Sequence, residues 1–422
     1  MRTSKILLMR PISLVIFFAL FQVTNSRAVE FGDAFARSSK SNSIQWFESA
    51  CDTSIPHVCS QSIFTSSEVS EFLGLENTCS IVALSDCRQG SNYACEMFHL
   101  HTQIRKAAHW AFRPISIGSA TSDIIDYLRI KSRMQGRELQ AISGKQTPRL
   151  AFTISRIKAA MMSMPNAILS AFGRYVSGVF LVENLGPKSE TLDLLDEVGL
   201  PISGLIVLDV NELQQKANQW LSGRENSPFN PVVDTSGSPD SAQRIEAVLE
   251  EGKNNSIENS IQFILLRELG HILFDVLHAA ALNSELSKEM FLKRSPFLSL
   301  SWFVKEDEFH NKYDQSFAER ERPILYIGDP NFRRPIETAE YYYGVLQKSP
   351  FPSILATNEI REDFAESFAG YVHGVLQKKP FTIVLKTVKD RVVRTFPSCW
   401  DQPVCLTKRK FFDELVASWG RS

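Results

Sequence analysis

Between Ser256 and Ala281 the chain is Ile, Leu, Phe, Val and Ala at most positions and contains no proline. A helix this apolar is buried on most sides, so the rest of the chain must pack around it. Its polar residues are not scattered. Ser260, Arg267, His271, Asp275 and His278 follow steps of seven, four, four and three, with Glu268 beside them. At roughly 100° per residue these positions share about 100° of arc. A polar stripe on a buried helix is costly unless it is paired, bound to a metal or lining a cavity. All three arrangements are open from this helix alone.

The 422 residues suggest two or three domains and are ample for a core. Hydrophobic residues make up 44% and charged residues 22%, as in ordinary globular proteins. A formal net charge of −1 gives no basic field for nucleic acid.

Residues 1–26 read as a signal peptide. Arg2, Lys5 and Arg10 form a positive start, Pro11 to Val23 an apolar run, and Thr24-Asn25-Ser26 a small-residue cleavage site. The chain is therefore expected to be exported, to a periplasmic, secreted or extracellular location. No membrane span is expected after signal removal. The 256–281 helix is interrupted by Arg267, Glu268, His271 and Asp275, and no other long apolar run follows.

The cysteines fit an oxidising compartment. Cys51, Cys59, Cys79, Cys87 and Cys95 cluster early, and Cys399 and Cys405 lie late. Short-range disulfides such as Cys51–Cys59 and Cys399–Cys405 are compatible with this spacing, although pairing is not fixed by sequence and an odd count leaves one thiol over. Residues 27–149 read as a separate Cys-containing N-terminal region ending in the turn-rich Gly144-Lys145-Gln146-Thr147-Pro148.

Beyond it, residues 150–422 read as one α+β domain. Leu150 to Phe172 predicts a helix broken by Pro165. Val176–Glu183 and Gly204–Val210 predict strands, and Ser222–Ser241, rich in Gly, Pro, Ser and Asn, predicts a loop. Strands followed by the polar-striped helix suit a helix packed on a small mixed sheet. A second helix is predicted over Asn358–His373, after the turn-like Pro350-Phe351-Pro352. Phe364, Phe368 and Tyr371 give it an apolar face, and Glu359, Glu362, Glu366 and His373 an acidic one. Taken alone, that acidic face is also what a solvated surface helix shows.

The two helices carry a motif between them. Arg267-Glu268-Leu269-Gly270-His271 is one residue away from H-E-x-x-H, in which two histidines on one helix face hold zinc and the Glu is the general base. Downstream, Glu362-Asp363-Phe364-Ala365-Glu366-Ser367-Phe368-Ala369 supplies Glu-x-x-x-Glu. Together they resemble the gluzincin branch of the zincin metallopeptidases, and the second motif resembles that of the anthrax lethal factor type of peptidase. The resemblance implies that His271 and Glu366 are zinc ligands, that Glu268 is the general base, and that Glu362 orients the ligands from behind. It also implies that strand Gly204–Val210 is a candidate for the sheet that aligns substrate and that Tyr341, Tyr342, Tyr343 and Tyr371 are candidates to assist the oxyanion.

Arg267 stands where the first histidine ligand is expected. A guanidinium stays protonated and offers a metal no lone pair. His278 and His373 lie two turns from the nearest ligand position, out of step with a rebuilt site. The expectation is an exported pseudo-peptidase in which Arg267 takes the place of zinc and pairs with Glu366 or Glu362. Two other readings stand beside it: an active zinc metallopeptidase with an altered ligand set, and a non-catalytic envelope protein whose cleft binds a peptide. The expected partner is a peptide or protein ligand.

Overall fold

The computed structural model describes residues 115–134, 148–186, 189–196, 199–230, 243–282, 286–314 and 333–419. The signal-like segment, the five N-terminal cysteines and the expected Cys51–Cys59 pair lie outside the described residues. The described chain is mixed α+β, with helices arranged around small sheets.

Strand β1 (Ser116–Ser119) and helix α1 (Ser122–Met134) come first. The helical stretch from Leu150 to Phe172 resolves into α2 (Pro148–Met162) and α3 (Asn166–Tyr175). Pro165 sits just ahead of α3, where its missing N–H interrupts no intrahelical bond. Strand β2 (Val176–Val182) follows directly, then β3 (Glu190–Leu195) and β4 (Pro201–Asp209).

These strands form one sheet in the order β1-β2-β4-β3, with β3 antiparallel to β4 and the other pairs parallel. Strand β1 lies N-terminal of the boundary placed at 149, so the region read as separate contributes a strand to this sheet. The apolar runs of β2 and β4 are buried along nearly their whole length, as parallel strands require. Strand β4 is hydrogen-bonded on both sides, to β2 and β3, and the sheet ends in β1 and β3.

Helix α4 (Ala217–Asn226) corrects the loop expected from Ser222. Short strand β5 (Phe229–Asn230) and strand β6 (Gln243–Val248) follow. The polar residues that suggested a loop instead hydrogen-bond along β6. Asn226 pairs with both backbone groups of Ile245, the Ser222 hydroxyl accepts from the Ala247 N–H, and Asn218 accepts from Leu249 and Glu250. One helix face with polar residues four apart thus satisfies a strand edge that would otherwise be bare.

The apolar stretch forms α5 (Ile257–Leu282), 26 residues long, with Leu265, Leu266, Leu269, Ile272 and Leu273 buried. It rests on β4 and β3. A side chain at Gly204 would come within 2.7 Å of Ile272, so the glycine lets helix and sheet meet. No described helix is long and apolar enough to cross a membrane.

Next come α6 (Lys288–Arg294), the hairpin β7 (Trp302–Lys305) and β8 (Glu308–Asn311), β9 (Arg334–Pro335) paired with β5, and α7 (Ala339–Leu346). The second motif lies on α8 (Ile360–Tyr371), and every residue from Asp363 to Tyr371 is buried. Strands β10 (Thr382–Thr387) and β11 (Val392–Pro397) extend from β6 as an antiparallel sheet. Cys399 and Cys405 are bonded at 2.04 Å, ahead of α9 (Leu406–Trp419). Helix α9 locks onto α8 through Lys408, whose buried ammonium pairs with Asp363 at 2.5 Å while Trp302 donates to the same carboxyl.

The two motif helices cross at Gly270. A Cβ there would lie 2.7 Å from the Cα of Ala365, a backbone atom that cannot swing aside. Gly270→Ala therefore gains about 1 kcal/mol of helix propensity but loses roughly 1–3 kcal/mol to overpacking. Net destabilisation is expected in urea unfolding; an unchanged or raised unfolding free energy would contradict the close crossing.

Candidate functional site

The crossing puts Arg267, Glu268 and His271 of α5 opposite Glu362 and Glu366 of α8. The four-residue spacing of Arg267 and His271, and of Glu362 and Glu366, places each pair on one helix face. All five residues named from the sequence are brought together. Arg267 Nη2 donates to both Glu362 oxygens at 2.7 Å, and Nη1 donates to Glu268 Oε1 at 2.7 Å. Its Nε lies 3.1 Å from Glu366 Oε1 without the alignment of a hydrogen bond. His271 Nε2 faces Glu362 Oε1 at 3.6 Å, and its buried Nδ1 has no hydrogen-bond partner among the described residues.

Of the two carboxylates expected to pair with Arg267, Glu362 does so, and the two-pronged grip on Glu366 is made by a different arginine. Arg224, on α4, donates from Nη1 and Nη2 to the two Glu366 oxygens at 2.8 and 3.1 Å. Ser353 adds a third donor to Glu366 Oε2 at 2.7 Å. Arg224 is held in turn by Glu225 at 3.0 Å, and Tyr343 on α7 donates to the other Glu225 oxygen at 2.7 Å. On the far side, Ser189, just before β3, donates to Glu268 Oε1 at 2.5 Å. Arg361 joins α8 to the same region by pairing with Asp275 and donating to Thr191 on β3.

Sequence reasoning missed Arg224, Glu225, Ser189 and Ser353. The signal for the first two was the Asn218, Ser222, Asn226 spacing, which marks a helix face on a segment whose composition reads as loop. Ser189 and Ser353 carry no sequence signal of their own. Of the four tyrosines, Tyr343 enters the network, through Glu225; Tyr371 donates instead to Asp413 on α9.

Charge follows geometry. Burial alone would weaken the Arg267 cation, but Glu362, Glu268 and Glu366 outweigh it and hold the guanidinium protonated more firmly than usual. Burial pushes the Glu366 carboxyl up, yet Arg224 and Arg267, with the Ser353 hydrogen bond, hold it below its ordinary range. Burial raises Glu268 against the pull of Arg267 and Ser189. Burial, then Arg267 and Arg361, drive His271 far below the usual imidazole range, so it is neutral at pH 7.

This donor set does not fit a zinc ion as it is arranged. Both oxygens of Glu366 already accept from Arg224, the Oε1 of Glu268 accepts from Arg267 and Ser189, and two guanidiniums stand where a cation would enter. Among the described residues no group of three His, Cys, Asp or Glu side chains has metal-holding geometry. His278 and His373 are committed elsewhere. His278 lies 2.8 Å from the Phe274 carbonyl and 2.9 Å from Ser295, and His373 Nε2 lies 2.8 and 3.0 Å from the carbonyls of Leu249 and Pro380. Burial first lowers both to about 4, leaving neutral imidazoles in the core.

Comparison of the chain with models of known families, with curated proteins and with solved structures finds no match. The zincin resemblance accordingly rests on the two motifs.

Removing the Arg267 side chain strands Glu362 and Glu268 in a nearly dry site. Breaking a buried pair from one side costs about 3–5 kcal/mol; with 15% of the Arg267 side chain still exposed, the lower end applies. Arg267→Ala is expected to lower the unfolding free energy by about 3 kcal/mol in chemical denaturation, and a loss under about 1 kcal/mol would contradict the pairing.

Proposed function

We propose that this chain is an exported zincin-like pseudo-peptidase of the gluzincin type, in which an arginine stands in for the metal. The observation that carries the reading is the position of the Arg267 guanidinium. It occupies the first-histidine position of the motif and lies 2.7 Å from Glu268 and Glu362 and 3.1 Å from Glu366. In the family that the motifs resemble, those carboxylates are the general base, the orienting acid and the third ligand. Here the same cation pairs with Glu268 and Glu362 and lies beside Glu366, whose two oxygens Arg224 holds.

The chemistry of hydrolysis is closed off by the same contacts. A general base must be free to take a proton from water. Glu268 instead accepts two hydrogen bonds at one oxygen, from Arg267 and Ser189. His271 keeps a neutral imidazole and Glu366 a carboxylate, the right species for ligands, but Glu366 is bound by Arg224. An active enzyme with a rebuilt ligand set would need another histidine, and His278 and His373 are engaged with Phe274, Ser295, Leu249 and Pro380. The role proposed for the scaffold is to recognise a peptide or protein segment without cutting it.

Elemental analysis of residues 27–422, purified without a metal-binding tag, tests the reading together with a casein cleavage assay. The expected result is zinc far below one per chain and no cleavage that a chelator abolishes. Stoichiometric zinc with chelator-sensitive cleavage would overturn it.

A further inference from the structure

We infer that Arg224 is a second, independent lock on this site, so that returning histidine to position 267 does not by itself create a zinc site. The inference rests on the zincin-like reading above and goes beyond it by assigning a role to a residue outside both motifs.

Three observations carry it. First, Arg224 and Glu366 form a two-pronged pair in which both carboxylate oxygens are used, and Ser353 uses one of them again. Such planar fork pairing is the strongest side-chain grip available to a carboxylate. Second, the pair is sealed: Arg224 and Glu366 are each 2% exposed, so water does not weaken the contact. Third, Arg224 cannot easily leave. Its Nε is anchored to Glu225, which Tyr343 holds from behind, and α4 is fastened to β6 through Asn218, Ser222 and Asn226. An Arg267→His substitution touches none of these contacts. It would supply a nitrogen donor beside His271 and leave the third ligand occupied by a permanent cation.

The two arginines also divide the work differently. Arg267 reaches across the α5–α8 crossing to Glu362 and Glu268, whereas Arg224 approaches Glu366 from α4. Unlocking the site therefore requires both changes.

The test is a zinc titration by calorimetry on the full mature chain and on Arg267→His, Arg267→His/Arg224→Met, and the latter with Glu366→Gln, each checked for fold by circular dichroism. The double variant is expected to bind one zinc per chain about 100-fold more tightly than Arg267→His alone, and Glu366→Gln should remove that gain. Equally tight, Glu366-dependent zinc binding by Arg267→His alone would overturn the inference and leave the zincin-like reading standing. No zinc binding by any folded variant would overturn the reading itself, and the inference with it. Should the double variant not fold alone, refolding with zinc chloride and with magnesium chloride decides the matter. Recovery with zinc only supports the inference, and no recovery with zinc overturns it.

Discussion

The structure depends on one buried guanidinium. Arg267 lies on the long apolar helix α5 and stays charged because three carboxylates surround it. Neither side could be buried alone, since an unpaired ion in the interior costs several kcal/mol. The pairing is therefore also a constraint on architecture: α5 and α8 must cross where Arg267 meets Glu362, and Gly270 against Ala365 is the contact that lets them do so. A metal ion could meet the same electrostatic demand. An arginine meets it permanently, as a hydrogen-bond donor with no vacant coordination position to accept a lone pair from water.

From that crossing the network extends outward in layers. Arg224 and Ser353 close around Glu366, Glu225 and Tyr343 close around Arg224, and Ser189 and Thr191 tie the site to the edge strand β3. The elements supplying these groups are far apart in sequence, so the site reports on whether the whole α+β fold is assembled. Behind it, the Lys408–Asp363 pair repeats the same solution on the other face of α8. Burial lowers the Lys408 ammonium and raises the Asp363 carboxyl, and the attraction between the two opposes both shifts.

Much of this was legible in the sequence, for identifiable reasons. The long apolar helix with its polar stripe, the acidic helix, the break at Pro165 and strands β2 and β4 all follow from local periodicity. Three members of the stripe are paired, Arg267 to carboxylates, Asp275 to Arg361 and His278 to Phe274 and Ser295, while the Ser260 hydroxyl and His271 Nδ1 have no hydrogen-bond partner among the described residues. What was not legible depends on tertiary contact. Ser222 and Asn226 look like loop residues until a strand edge distant in sequence hydrogen-bonds them, the Ala247 N–H donating to Ser222 and the Ile245 carbonyl accepting from Asn226. Arg224 was hidden with them, because a charge on a segment read as loop is expected to face water.

The most direct test of the central claim is a crystal structure of residues 27–422 grown with zinc chloride, with anomalous data collected at the zinc edge. The account predicts guanidinium density for Arg267 between Glu362 and Glu366 and no anomalous peak within bonding distance of His271 Nε2. A peak bridging His271 and Glu366, with Arg267 turned out of the site, would contradict it.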